Sequence, residues 1–404
     1  MAVNLQAPER LLPVGGVVVG SACAGIKQRG RDDLAVLAFV PGTQVAGVYT
    51  QSHFAAPPVL LARARQADSL AWVINSGNAN AATGQPGEDD ARAICAHAAA
   101  LLKLSDQAVQ PFSTGVIGER LPVERIKQGL DVACGQLQAD GWMAAAQAIM
   151  TTDTVVKGCS RELQIDGRTV TITGIAKGAG MIKPNMATML AYIACDATVS
   201  SAAAQQVLQH AVERSFNRIT VDGDTSTNDC VMLACTGVVD HPEISGPAQA
   251  DFVNLCEAVT DVARELAQAV IRDGEGATKF ITVRVTGGST TEDCLAVAYT
   301  IAESPLVKTA MFAGDANWGR FCMAIGRAPV SDLDVNLVQL WLDDVQVAQE
   351  GLMSADYSEA LGAAVLAQEE FTVTVDLGSG DAEEMIWTTD LSYEYVRINA
   401  EYRT

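Results

Sequence analysis

The chain has 404 residues, 49% of them hydrophobic, which is enough to bury the cores of two or three domains. A formal net charge of −21 and a pI near 4.5 exclude nucleic acid and anionic membrane surfaces as partners, because both repel a strongly acidic protein. No run is long and apolar enough to span a bilayer, and residues 1–20 lack a basic start leading into an apolar core, so the chain reads as cytoplasmic. Its ten cysteines are scattered without a Cys-x-x-Cys, mostly in apolar surroundings, as buried thiols are in a reducing compartment. The four histidines (His53, His97, His210 and His241) are widely separated, and none has a partner at ligand spacing, so no metal site is expected.

Residues 15–24 and 34–49, rich in Val, Ala and Leu between glycines, read as strands. Ala71 to Asn75 is a short buried strand running into Ser76-Gly77-Asn78-Ala79-Asn80-Ala81, either a tight turn or one that shows backbone N–H groups to a ligand. A helix follows, with Gly87-Glu88-Asp89-Asp90 as an acidic first turn and Ile94, Ala98, Leu101 and Leu102 on its apolar face. Phe112 to Gly118 ends a strand on Thr114-Gly115. That pair is either a turn or a hydroxyl and an N–H converging on one point, the parts of an oxyanion hole. Helical patterns near 122–135 and 140–150 come next. The second ends in Met150-Thr151-Thr152-Asp153-Thr154, hydroxyls beside one carboxylate, which also fits a capping box.

Residues 168–176 form a strand, and the chain then enters Lys177-Gly178-Ala179-Gly180-Met181-Ile182-Lys183-Pro184-Asn185-Met186-Ala187. Two glycines, a proline and an asparagine make this a tight loop. Thr188 stands at its end, directly before the buried strand Met189 to Ala194. A hydroxyl there either bonds backbone at a strand start or attacks the carbonyl of Ala187. Attack would shift the acyl group from nitrogen to oxygen, and water would then cut the ester. The new α-amine of Thr188 could activate its own hydroxyl, since a chain-terminal amine ordinarily titrates at about 7.7–8.0.

Ser200 and Ser201 can cap a helix that turns Val207, Leu208, Ala211 and Val212 inward. The polar loop Ile219 to Asp229 leads to a strand over Cys230 to Thr236, and a long helix covers about 247–272. Glu275, between two glycines before the next strand, is a candidate substrate ligand or a solvated turn carboxylate. Residues 292–312 read as helical, Gly314 to Arg320 as an irregular turn, and 334–341 and 370–376 as strands. The aromatic tail Tyr393 to Thr404 reads as docked.

The block Lys177 to Leu190 resembles the self-cleavage signature of the ornithine acetyltransferase family, the glutamate N-acetyltransferases of arginine biosynthesis. That signature runs Lys-Gly-x-Gly-Met-Ile-x-Pro-Asn-Met-Ala-Thr-Met-Leu, and every fixed position is present. Ala24 to Lys27, Ser76 to Ala81, Ser113 to Gly118, Thr151 to Thr154, Gly274 to Phe280, Gly314 to Arg320 and Val396 to Thr404 resemble further family blocks, in family order. The resemblance implies a mixed α/β fold, a self-cleaving α/β sandwich shared with DmpA-type aminopeptidases. It implies cleavage between Ala187 and Thr188 into an N-terminal subunit, 1–187, and a C-terminal subunit, 188–404, assembled as an α2β2 heterotetramer. Thr188 would then carry the acetyl group, and Thr114 and Gly115 would form the oxyanion hole. Thr151 (or its neighbour Thr152), Lys177, Thr188, Glu275, Asn399 and Thr404 would hold the substrate. The implied reaction moves acetyl from N-acetylornithine to glutamate, giving ornithine and N-acetylglutamate, without a bound cofactor. Acetyl-CoA is a possible second donor. The alternative is a self-cleaving aminopeptidase or amidohydrolase in which water is the acceptor.

Overall fold

The computed structural model describes residues 2–27, 30–183 and 189–401. Their structure is mixed α/β and divides into two compact units, Gln6–Asn217 with Asp224–Val270, and Met1–Leu5 with Arg218–Gly223 and Ile271–Thr404. The first part of the chain runs β1 (Val17–Ala22), β2 (Leu34–Phe39), β3 (Gln44–Tyr49), α1 (Pro57–Ala64), β4 (Ala71–Asn78), α2 (Gly84–Leu102), β5 (Val109–Val116), α3 (Val123–Gly135) and α4 (Trp142–Ala148). It continues through β6 (Lys157–Ile165), β7 (Arg168–Lys177), β8 (Leu190–Cys195), α5 (Ser201–Glu213), β9 (Ile219–Thr220), β10 (Cys230–Cys235) and α6 (Ala250–Arg272). The remainder is β11 (Phe280–Gly288), α7 (Thr291–Ala302), α8 (Pro305–Ala313), α9 (Trp318–Gly326), β12 (Gln339–Leu342), β13 (Val345–Gln349), β14 (Leu352–Met353), α10 (Glu359–Leu366), β15 (Glu370–Asp376), β16 (Ala382–Thr389) and α11 (Tyr393–Ala400).

The larger unit stacks two sheets, ordered β1-β2-β4-β5 and β3-β10-β8-β7-β6. Strand β2 shows why. Ala35, Leu37 and Phe39 enter a cluster with Trp72, Ile74 and Phe112 of their own sheet and Tyr49, Ile175, Tyr192 and Met232 of the other. Leu34 and Val36 face the opposite way, into a cluster with Ile94 and Ala98 of α2 and Ile126 and Leu130 of α3. A strand has a side-chain period of two, so one buried on both faces serves two cores. Beyond the second sheet, α6 covers β7. The position a Cβ would take on Gly174 lies 2.8 Å from Val262 and 2.9 Å from Leu266. The layers are therefore helix, sheet, sheet, helix, which is the α/β sandwich the resemblance implies.

In the smaller unit the strand order is β14-β13-β12-β15-β11-β16-β9. Val297 and Ile301 of α7, Met311 of α8, Phe321 of α9 and Leu366 of α10 pack on one face of this sheet, against Ile281, Val283, Leu340 and Val373.

Several elements depart from the sequence reading, each for a local reason. Residues 34–49 are two strands in different sheets, separated by a turn through Pro41 and Gly42, whose φ is 94°. Residues 292–312 are two helices, because Pro305 cannot donate to a continuing ladder and instead opens α8 under a Ser304 cap. No strand covers 334–338; Asp334 accepts the N–H of Asn336 in a local turn, and β12 starts at Gln339. Helix α2 begins at Gly84, before the acidic residues, and Leu101 is exposed rather than inward, while Leu102 packs half-buried against the core with Ile94 and Ala98. Strand β6 was not anticipated. It pairs with β7 across Asp166-Gly167, both at positive φ (48° and 71°), as a two-residue hairpin turn of the primed type requires. The tail forms α11 with none of its residues buried, attached by hydrogen bonds from Tyr395 and Asn399.

Trp72 sits where the first sheet faces the second. Its ring centroid lies 4.7 Å from Phe39, 5.5 Å from Tyr192 and 6.4 Å from Phe112, and its Nε1 donates to Gln110 Oε1 at 2.9 Å. Trp72→Ala leaves a cavity and takes the donor from Gln110 Oε1, so the unfolding free energy should fall by about 3–5 kcal/mol, read as a lowered denaturant midpoint. A midpoint equal to wild type would contradict this account of the inter-sheet core.

Candidate active site

Strands β4 and β5 run parallel, with Ser76 opposite Thr114 and Gly77 opposite Gly115. Both glycines take positive φ there, 105° and 133°. A Cβ on Gly115 would stand 2.2 Å from the Gly77 carbonyl carbon and 2.5 Å from the Asn78 nitrogen. Only glycine allows this approach. The turn after β4 is held as tightly. Ser113 Oγ donates to Asn75 Oδ1 at 2.6 Å, and Asn228 Nδ2 donates to Ala79 O at 2.6 Å and Ser113 O at 2.9 Å. Thr114 and Gly115 thus lie on a fixed strand end rather than in a loose turn.

Lys177 is the last residue of β7, paired across the ladder with Leu190, the first residue of β8. Its Nζ donates to Thr114 Oγ1 at 3.1 Å, and both residues are buried. The ends of β5 and β7, from different sheets, therefore bring a hydroxyl and an ammonium together. A cation and an oriented hydroxyl beside a glycine form an electropositive point suited to an oxyanion or a carboxylate.

Asp153 organises the surrounding backbone. It accepts the N–H of Thr151 at 2.9 Å on Oδ2, and the N–H of Gly178 at 2.7 Å and the Lys157 ammonium at 2.6 Å on Oδ1. Neither the Asp153 nor the Lys157 side chain has any solvent exposure. Burial by itself would raise the Asp153 carboxyl, but the Lys157 and Lys177 ammoniums and the Gly178 N–H outweigh it and hold the group well below the usual carboxylate range. Thr151 is thereby tied to the Lys177-Gly178 exit, and Thr152, its neighbour, is half-buried beside it. Lys27 also approaches. Its Nζ donates to Ala148 O at 3.0 Å, the carbonyl that also accepts Ser76 Oγ at 2.5 Å, and burial lowers its pKa to about 8 against the pull of Asp33 and Asp153.

In the smaller unit, Asn399 Nδ2 donates to Glu275 Oε2 at 2.8 Å. Glu275 is buried, so the solvated-turn reading is wrong for it. Asp390 Oδ1 accepts the N–H groups of Thr278 at 2.8 Å and Lys279 at 3.0 Å, and Ser392 Oγ donates to Gly276 O at 2.6 Å. These bonds fix the loop that carries Glu275.

Thr114, Gly115, Thr151 and Lys177 thus meet in the larger unit, and Glu275 and Asn399 in the smaller. Ala187, Thr188 and Thr404 lie outside the described residues, as does the end of the loop from Pro184. The roles of Asn75, Asp153, Lys157 and Asn228 escape the sequence reading. Asp153 was visible only as a carboxylate among hydroxyls, and nothing in the pattern marks it as fully buried.

The depressed Asp153 carboxyl has a direct consequence for acid stability. Its folded pKa lies below the unfolded value of about 3.9, so its contribution is complete above that value and is lost as pH falls through the folded pKa. Asp153→Asn should be less stable than wild type at pH 7, with the gap closing as the pH drops below about 4. Parallel pH–denaturation curves would contradict this.

The ArgJ family model matches residues 18–404. The arginine biosynthesis bifunctional protein ArgJ of Pseudomonas syringae pv. tomato is 53% identical over 405 residues, covering 100% of both chains. Its counterpart in Pseudomonas fluorescens is 53% identical over the same span and coverage. A crystal structure of arginine biosynthesis bifunctional protein argJ from Bacillus halodurans is 36% identical, covering 51% of this chain and 96% of that one, with a TM-score of 0.49. By the span of the family match and the full-length identity, the chain belongs to the ArgJ family.

Proposed function

We propose that this protein moves the acetyl group of N-acetylornithine to glutamate in arginine biosynthesis, by a ping-pong route through an ester on Thr188. The observation that carries the reading is the Lys177 ammonium 3.1 Å from the Thr114 hydroxyl, beside a glycine that no other residue can replace. Thr188 Oγ first attacks the Ala187 carbonyl; the acyl group moves to oxygen, and water hydrolyses the ester. This frees an Ala187 carboxylate and the Thr188 α-amine. Strands β7 and β8, one before the cut and one after, are hydrogen-bonded neighbours, so 1–187 and 188–404 stay interlocked as two subunits. We further propose that two such pairs form the α2β2 heterotetramer.

In the first half-reaction the α-amine takes the Thr188 hydroxyl proton as Oγ attacks the acetyl carbonyl. Thr114 and the Gly115 N–H receive the negative charge that develops on the carbonyl oxygen. Collapse breaks the amide bond, the proton passes to the departing amine, and ornithine leaves. Glutamate's amine then attacks the acetyl ester, its proton goes back to Thr188, and N-acetylglutamate is released. Lys177 pairs with a substrate carboxylate, with Thr151 beside it, while Glu275, steadied by Asn399, meets an amino group. Thr404 completes the substrate contacts. No resident cofactor enters these steps. We further propose acetyl-CoA as a second donor to the same threonine. We place this activity in the cytoplasm, which suits ten free thiols.

Intact mass of the purified protein tests the first step: wild type should separate into two fragments meeting at Ala187/Thr188, and Thr188→Ala should stay whole. Cleaved wild type should then acetylate glutamate from N-acetylornithine. Thr114→Val, which removes an oxyanion donor, should lower kcat about 10²–10³-fold. Release of free acetate at the same rate with or without glutamate would point instead to a hydrolase.

A further inference from the structure

We propose that Asp153 is a positioning residue for substrate binding, acting through Lys177. Its oxygens fix the backbone N–H groups of Thr151 and Gly178, and its charge, anchored by Lys157, keeps the neighbouring Lys177 ammonium in place beside Thr114. The inference rests on the reading of Lys177 and Thr151 as substrate contacts.

The geometry is more than an internal ion pair needs. A buried pair adds little to stability over a well-packed apolar pair, because two desolvation penalties offset the attraction. Here, however, the carboxylate takes three partners from three segments: the turn after α4, the first residue of β6, and the residue after β7. Two of those segments carry candidate substrate contacts, Thr151 and Lys177. Gly178, whose N–H is held, has φ 150°, so this bond also sets the direction in which the chain leaves β7. Among the described residues, the charged groups near this point include Lys157 from β6, Lys177 from β7, and Lys27 from the segment after β1 with Asp33 and Arg31 near it. The Asp153 carboxylate attracts both the Lys157 and the Lys177 ammoniums. Removing its charge takes that attraction away from Lys177 and leaves the ammonium less firmly held beside Thr114.

The test compares cleaved wild type with Asp153→Asn, Asp153→Asn/Lys157→Met and Lys177→Met, measuring kcat and KM for N-acetylornithine separately. The double variant removes both buried charges, so it is the form expected to fold if Asp153→Asn alone does not. The expected result is a KM raised about tenfold or more in both Asp153 variants, with kcat changed much less, as loss of uniform binding gives. A double variant whose KM stays within about twofold of wild type would overturn the proposal, since the pair would then be structural. A double variant that folds but stays uncut would overturn it too, because the carboxylate would then serve maturation rather than binding. Lys177→Met separates the two levels. Unchanged KM there removes Lys177 as a substrate contact, whereas raised KM there with a normal double variant removes only the role of Asp153.

Discussion

A carboxylate with no exposure to water has to find its hydrogen bonds and its counter-charge inside the protein, and Asp153 finds both. An uncompensated charge in that position would take up a proton or unfold its surroundings. Its partners come from segments that are not adjacent in sequence: Thr151, Lys157 and Gly178. Satisfying the one group therefore fixes the turn after α4, the start of β6 and how the chain leaves β7. The acidity of the whole protein, −21, makes this local arrangement the more specific. Lysines gather around one carboxylate at the point where the site needs positive charge.

The sandwich exists to bring two strand ends to that point. Strand β5 belongs to one sheet and β7 to the other, and the sheets are joined by the cluster around Trp72, Phe112 and Tyr192. Near the site, polar groups replace apolar ones as the link between sheets. Asn228, just before β10, donates to carbonyls of Ala79 and Ser113, and Lys177 donates to Thr114. The close approach of Gly115 to Gly77 lets Thr114 stand at the end of β5 without a side chain beside it. Core packing places the strands, and hydrogen bonds set their last residues.

Much of this was legible in the sequence where the physics is local. Helices α4, α5 and α6 showed their apolar faces at spacings of three and four, α3 was read as helical, and Ser200 capped α5 as its position suggests. Boundaries failed where a single residue overrides a pattern, as Pro305 does between α7 and α8 and Pro41-Gly42 between β2 and β3. Strand β6 was missed because Lys157 to Ile165 mixes charged and apolar residues, being partly exposed toward its far end, although Asp166-Gly167 was a usable hairpin signal. At the site, Thr114, Gly115, Lys177, Glu275 and Asn399 were named through resemblance to a family, and Thr114, Gly115 and Glu275 also through their local pattern. Asp153, Lys157 and Asn228 were given no role at the site, because their importance lies in burial and in partners far along the chain. Neither is written in local spacing.

The central claim is that an acetyl group rests on Thr188 between two amines. The most direct measurement is the mass of the cleaved protein after incubation with N-acetylornithine alone, quenched in acid, with the adduct mapped by fragmentation. The account predicts one added acetyl group on the 188–404 fragment, located at Thr188 and discharged when glutamate is supplied. A protein that transfers acetyl to glutamate while the fragment never gains mass, or gains it elsewhere, would contradict the account.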